Sequence, residues 1–137
     1  MGFDGPCEDR LALRDLLDSY ADAVCRHDAA DWGATWHPDG EWLLPGFGHF
    51  VGRAAIVTTW QSAMKNFSGI VFQAWPGSMH VDGDYATMRS YTAENYVRDG
   101  RMHRDLGSYD DRCIRHDRRW LFTRRAFTPL QRWPARG

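Results

Sequence analysis

The hydrophobic periodicity changes near residue 67, and this change limits the fold more than any other feature of the chain. Before it, apolar residues recur every three or four positions, most clearly from Leu13 to Cys25, as on one face of an amphipathic helix. After it, β-branched and aromatic residues dominate the segments 69–75, 84–97, 101–115 and 119–128, which turn signals such as Asp82-Gly83 and Asp99-Gly100 separate. Helices followed by hairpin-linked strands predict an α+β fold in which a curved antiparallel sheet wraps the first helix.

Shorter elements complete the first half of the chain. A helix is predicted from about residue 8 to 27, and Asp28 is a suitable N-cap for a short second helix. Residues 37–40 predict a turn that leads into a short strand over 41–44 and a glycine-punctuated loop over 45–52. A third helix is predicted over 53–66. No repeat or linker interrupts the chain, so we expect a single domain over residues 1–137.

Charge and cysteine content argue against several classes of protein. The net charge is −1, which gives no general reason to expect nucleic acid or an anionic membrane as a partner. Arginine is concentrated in residues 98–137, but no basic run alternates with stacking aromatic residues. Cys7, Cys25 and Cys113 are too widely spaced for a disulfide scaffold or a zinc ribbon. The six histidines lack the spacing of metal ligands, so we expect no metal.

The sequence also lacks the apolar segments that direct a chain into or across a membrane. No stretch approaches the roughly 18 apolar residues of a membrane span, and the first ten residues are too polar for a signal peptide. We therefore expect a cytoplasmic protein.

Aromatic residues make up 14% of the chain and include seven tryptophans, which is more flat apolar surface than a core of this size needs. A cavity for a compact apolar or aromatic ligand would account for the excess. Candidates for its wall, each with core packing as the alternative, are Trp36, Trp42, Trp60, Phe72 and Trp75.

Several short motifs, in the same order along the chain, resemble those of the SnoaL-like branch of the NTF2-like superfamily. They are residues 20–28 (YADAVCRHD), 36–42 (WHPDGEW), 46–56 (GFGHFVGRAAI), 81–86 (VDGDYA), 107–111 (GSYDD), 117–120 (DRRW) and Arg125. The resemblance implies a cone-shaped α+β fold around a hydrophobic pocket. It also implies proton-transfer chemistry without a cofactor, as in dehydratases, dehydrochlorinases, polyketide cyclases and isomerases.

The resemblance further indicates that two catalytic positions of the family are replaced. In the dehydratase and dehydrochlorinase branches a His–Asp dyad abstracts the proton. The position of the Asp corresponds to Cys25 and that of the His to Phe72, while the base of the isomerases corresponds to a position near Leu44. We therefore expect Cys25 and Phe72 to face each other on the pocket wall, and any mechanism to work without the dyad.

Five polar residues remain as candidates for catalysis. Tyr20 and Arg125 would stabilise negative charge on a substrate oxygen, and a carboxylate would move the proton: Asp111, its neighbour Asp110, or Glu94. Two of them have structural alternatives, Asp111 as the acceptor for Arg125 and Tyr20 as a core tyrosine. Glu94 shares one strand face with a polar row, Ser90, Thr92 and Tyr96, which faces either water or the concave side of the sheet.

The remaining candidates are ligand contacts: Leu44 and Tyr109 on the wall, and His49 in the glycine-punctuated loop at the rim. The leading hypothesis is a cofactor-independent lyase or isomerase acting on a small aromatic or alicyclic molecule. One alternative is a ligand-binding protein that has lost the dyad, and another is a subunit whose sheet serves assembly alone. Because helices cover only one face of the sheet, we also expect a homodimer through the other face.

Overall fold

The computed structural model of the protein describes residues 2–134; Met1 and residues 135–137, which belong to the predicted domain, lie outside them. The described elements are β1 (Phe3–Asp4), α1 (Cys7–Arg26), α2 (Ala29–Gly33), β2 (Trp36–Leu44), β3 (Gly48–Val51), α3 (Arg53–Met64), β4 (Ser68–Asp82), β5 (Tyr85–Arg98), β6 (Arg101–His116) and β7 (Arg119–Trp133). None of the described helices is long and apolar enough to cross a membrane.

Helix α1 provides the apolar surface around which the sheet curves. It begins after Pro6 and carries Glu8 and Asp9 in its first turn, where the partial positive charge of the helix end favours carboxylates. It ends at His27, which adopts the left-handed conformation with a φ of 54°. The predicted apolar face is buried at Leu13, Leu16, Leu17, Tyr20, Ala21 and Val24, whereas Cys25 is half-buried.

The strands form one open, mixed sheet in the order β1-β4-β5-β6-β7-β2-β3. Strands β4 to β7 pair as an antiparallel meander, β2 runs parallel to β7, and β1 runs parallel to β4. The register shifts at residues 76–78, 106–107 and 112–113. Such bulges bend long strands, so the sheet curls around the helices. The expected α+β fold with a cone-like, curved sheet around the helices is confirmed, and β1 and β2 join the antiparallel meander by parallel pairing.

Several element boundaries differ from the sequence-based expectation, three of them between residues 37 and 82. The turn predicted over 37–40 lies inside strand β2, because pairing with β7 resumes at Glu41 after an irregular segment that follows Trp36. The loop predicted over 45–52 contains strand β3, which pairs with β2. The strand predicted over 69–75 continues to Asp82, because β4 passes Pro76 with a register shift instead of ending there.

Candidate functional site

A cavity of about 530 Å3 lies between the concave face of the sheet and helices α1 and α3. Its wall is mainly apolar, and the aromatic part consists of Tyr20, Trp42, Phe47, Trp60, Phe67, Phe72, Tyr109 and Phe127. The Phe127 ring lies over Gly107 of β6, two residues from its cross-strand partner Tyr109, and a Cβ at position 107 would overlap the ring. The volume and lining suit a small organic molecule.

Two tyrosine hydroxyls and an indole form the floor of the cavity. Trp42 Nε1 donates a hydrogen bond of 3.0 Å to Tyr109 Oη, which leaves the Tyr109 proton free for another acceptor. Burial raises the pKa of Tyr20 and of Tyr109, so both hydroxyls remain protonated at neutral pH. The floor therefore presents neutral hydrogen-bond donors to an oxygen atom of a ligand.

A buried ion pair supports this floor from behind. Arg125 Nε donates to Asp111 Oδ1 at 2.6 Å, and Ser90 Oγ donates to Asp111 Oδ2 at 2.7 Å. The guanidinium carbon of Arg125 lies 4.5 Å from the ring centroid of Tyr20, 3.8 Å from that of Tyr109 and 4.4 Å from that of Phe122. Burial raises the pKa of Asp111, while Arg125 and Ser90 oppose the rise.

Arg125 and Asp111 thus lie next to the cavity without lining it. The charge of Arg125 lowers the pKa of Tyr20 against the larger effect of burial, which makes this hydroxyl a stronger donor. Arg125 Nη1 has no hydrogen-bond partner among the described residues. This pair can polarise the floor, but Asp111 does not border the space where a ligand would sit.

Two carboxylates stand on the cavity wall nearer its mouth. Glu94 on β5 and Asp105 on β6 are direct cross-strand partners, and both line the cavity. Asp105 accepts hydrogen bonds from Tyr96 Oη at 2.8 Å and from Arg132 Nε at 3.1 Å. Burial, together with the charge of Asp105, raises the pKa of Glu94 to about 7, and Arg132 opposes this rise. Glu94 therefore exchanges its proton close to neutral pH.

Half of the residues proposed from the sequence line this cavity: Tyr20, Leu44, Trp42, Trp60, Phe72, Glu94 and Tyr109. The polar row that includes Glu94 faces the interior, since Ser90, Thr92 and Tyr96 are all buried. The concave side of the sheet is therefore partly polar.

Four other candidates lie away from the cavity, each for a geometric reason. Trp36 is fully buried in the core against Trp32. Trp75, three residues after Phe72, points to the opposite, convex face, where it is 43% exposed. Asp110 is also exposed on that face, because its neighbours in β6 point inward. His49 is exposed on strand β3 at the sheet edge, 3.6 Å from a carboxylate oxygen of Glu41.

The family model for the SnoaL-like domain matches residues 6–126, most of the chain. The chain belongs to the SnoaL-like family. No curated protein matches this SnoaL-like chain significantly in sequence.

Among the solved structures that share the fold of this SnoaL-like protein are the following three. An NTF2-like protein with a cystatin-like fold from Novosphingobium aromaticivorans is 27% identical, with a TM-score of 0.78 over 90% of this chain and 83% of its own. A proposed scytalone dehydratase from the same organism is 18% identical, with a TM-score of 0.84 over 94% of this chain and 89% of its own. LinA, a hexachlorocyclohexane dehydrochlorinase, is 19% identical, with a TM-score of 0.85 over 95% of this chain and 91% of its own.

Cys25 and Phe72 of this SnoaL-like protein are in contact, as expected, but they do not share the cavity wall. The backbone N–H of Phe72 donates to Cys25 Sγ at 3.2 Å, and the thiol donates to the Phe72 carbonyl at 3.4 Å. The Phe72 side chain lines the cavity, whereas Cys25 does not. The expectation that both form the wall is wrong for Cys25, which instead connects helix α1 to strand β4.

Sequence reasoning missed four residues at the rim of the SnoaL-like cavity. Phe47, Asp105, Leu130 and Arg132 all line it, and Phe47 is 79% exposed there. Phe47 lies between strands β2 and β3, in the loop predicted at the rim, where His49 and not Phe47 is the expected ligand contact. Leu130 and Arg132 lie beyond the predicted end of the last strand at residue 128, whereas β7 continues to Trp133. The one available signal was the in/out alternation of β6, which places Asp105 on the same face as Tyr109.

Proposed function

We propose that this SnoaL-like protein is a cofactor-independent lyase or isomerase that moves a proton on a small aromatic or alicyclic molecule. The observation that carries the proposal is Glu94, a carboxylate in an apolar cavity wall with a pKa of about 7. A general base is most effective when its pKa lies close to the working pH. An ordinary surface glutamate lacks this property, because its pKa is far below neutrality.

The tyrosines of the floor supply the second part of the mechanism. When Glu94 removes a proton from carbon, negative charge develops elsewhere on the substrate, on a carbonyl oxygen or a leaving group. Tyr20 and Tyr109 present donors to that charge, and Arg125 strengthens them from behind. The buried pair of Arg125 and Asp111 acts on the substrate only through the tyrosines in this proposal.

The structural relatives support the same class of reaction. One is a proposed scytalone dehydratase and another is a dehydrochlorinase, and both names describe eliminations. Loss of water or of chloride each requires a base for the proton and stabilisation of a departing group. In this chain, Glu94 and the floor tyrosines would divide these two tasks.

Ligand binding without catalysis is the second candidate function. The specific observation in its favour is that neither dyad position carries a proton-transfer group, since Phe72 is apolar and Cys25 is hydrogen-bonded to its backbone. No histidine is among the described residues that line the cavity. A binding protein would use the same aromatic wall but would not depend on the ionisation of Glu94.

The ring opening of 5-nitrobenzisoxazole tests the proposal without knowledge of the natural substrate. In this reaction a base takes the proton from C3, the electron pair of that C–H bond completes a nitrile, and the N–O bond breaks to leave a coloured phenolate. We expect catalysis that rises with pH and reaches half its maximum near pH 7, the pKa of Glu94. Glu94→Gln should lower the rate about a hundredfold or more.

Asp99→Asn is the matched control, because it removes a carboxylate from the exposed turn between β5 and β6. Asparagine also tolerates the positive φ of 53° at this position. Binding is followed separately by tryptophan fluorescence with 5-nitrobenzotriazole, an unreactive ring of similar shape. Binding of that ring without any Glu94-dependent ring opening would support the binding protein and contradict the enzyme.

A further inference from the structure

The surroundings of Glu94 contain a charge arrangement that the proposed reaction does not require by itself. Asp105 lies directly across from Glu94. Arg132, near the end of β7, lines the same part of the cavity. Arg132 pairs with Asp105 at 3.1 Å and not with Glu94, whose side chain makes no ion pair or hydrogen bond within residues 2–134. One of two adjacent carboxylates is therefore neutralised and the other is left free.

The hydrogen bonds around Asp105 explain this choice. Tyr96 Oη donates to Asp105 Oδ2, and Arg132 donates to the other oxygen, Oδ1, so both oxygens of Asp105 are engaged. Stacking of His103 on the Tyr96 ring, with centroids 5.3 Å apart, holds the tyrosine in place. An ionised Glu94 has no comparable set of donors, so Arg132 is stabilised on Asp105.

We infer that Asp105 and Arg132 are positioning residues that act as a pair, with Asp105 holding the guanidinium beside Glu94 but off its carboxylate. This inference rests on the proposed function, because it assigns the control of the same base. Without Asp105, the guanidinium would be free to pair with Glu94 and keep it ionised and occupied. Without Arg132, Glu94 would face an uncompensated carboxylate and would hold its proton to higher pH.

Other groups near Glu94 have a smaller influence or none. The partner of Glu94 on β4 is Phe72, which does not titrate. The titratable or charged groups that face this region are Tyr20 on α1, Tyr96 and Arg98 on β5, His103, Asp105 and Tyr109 on β6, and Arg132 on β7. Of these, only Asp105 and Arg132 contribute charges that shift the pKa of Glu94.

The two residues act on Glu94 with opposite signs, which gives a sharp test. Asp105→Asn removes the repelling charge, keeps an acceptor for Tyr96 and releases Arg132, so the pKa of Glu94 should fall by about one unit. Arg132→Gln removes the attracting charge, so the pKa should rise by about one unit. Arg132→Lys retains the charge and should restore the pKa to near its wild-type value.

The pKa of Glu94 can be measured directly because the chain has three glutamates, Glu8, Glu41 and Glu94. Protein labelled with 13C at the glutamate carboxyl carbon gives one NMR titration curve for each, and the signal lost in Glu94→Gln identifies Glu94. Arg104→Gln is the matched control, since Arg104 is an exposed arginine next to Asp105 in β6.

Opposite shifts in the Asp105 and Arg132 variants, with rescue by lysine, support the inference. Shifts of the same sign, or shifts no larger than that of Arg104→Gln, overturn it. Should Asp105→Asn fail to fold, the comparison of Arg132→Gln with Arg132→Lys decides alone. These titrations need no turnover. If the variants show the expected shifts and the wild-type protein has no ring-opening activity, the proposed function is refuted and the charge arrangement is not.

Discussion

Replacement of Glu94 by glutamine should stabilise the protein at pH 8 and have little effect at pH 4. The pKa of this carboxyl is about 7 in the folded chain, whereas the ordinary value of 4.5 applies once the chain unfolds. Between pH 4.5 and about pH 7 the carboxyl keeps its proton in the folded state and loses it in the unfolded state. The free energy of unfolding therefore decreases as pH rises from about 4.5 to 7, and wild-type protein loses stability that Glu94→Gln retains.

The magnitude follows from the size of the pKa difference. A difference of about 2.5 units, at about 1.36 kcal/mol per unit, amounts to about 3.4 kcal/mol. Glu94 is only half-buried, so water at the cavity mouth reduces the penalty, and we expect about 2 kcal/mol. For a chain of 137 residues this corresponds to a rise in Tm of about 6–8 °C at pH 8.

Thermal unfolding followed by circular dichroism at pH 4 and pH 8 measures this difference for Glu94→Gln and wild type. Comparison of the two proteins at each pH removes the contribution of all other titrating groups. Asp99→Asn should behave like wild type at both pH values, because Asp99 is exposed. Equal stability of Glu94→Gln and wild type at pH 8 would refute the reasoning, since it would mean that Glu94 is ionised in the fold without penalty.

Two further predictions concern the buried ion pair and the convex face. Asp111→Asn should reduce the free energy of unfolding by about 3–5 kcal/mol in denaturant titrations, because it leaves the fully buried Arg125 without a counter-charge. Asp18→Asn, which breaks an exposed pair with Arg14, should cost less than about 1 kcal/mol, and equal losses would contradict this view. Trp75→Glu should convert the expected homodimer to a monomer in light scattering, because the exposed Val71 and Trp75 of β4 and Val97 of β5 would form its interface. A wild-type protein that stays monomeric at every concentration would argue against the dimer.

Much of the fold follows from the sequence because local pattern and global architecture agree. The apolar spacing of α1 places Tyr20 and Val24 on its buried face, where both line the cavity. Alternation along β5 puts Glu94 on the same face as Ser90 and Thr92, which made it a candidate from the sequence alone. The same alternation along β4 excludes Trp75 from the cavity wall if Phe72 points inward, because the two residues are three positions apart.

The ion pair at the rim of the site could not be predicted, because it depends on a register shift between distant segments. Gly107 pairs with Pro129, and the same register continued along the strands would place Asp105 opposite Gln131. The bulge between Leu106 and Gly107 moves the pairing by one residue, so that Asp105 lies opposite Arg132. Sequence pattern does not locate such bulges, and the ion pair of Asp105 with Arg132 depends on this one.

The cavity is built from buried residues on its floor and exposed residues at its rim, and the two groups differ in how well they tolerate substitution. Tyr20 and Tyr109 on the floor are almost completely buried, so a substitution there disturbs folding as well as chemistry. Phe47 and Leu130 at the rim are mostly exposed, so their replacement changes the shape of the entrance with little effect on stability. The range of molecules admitted can therefore diverge between descendants of this chain while the proposed reaction stays the same.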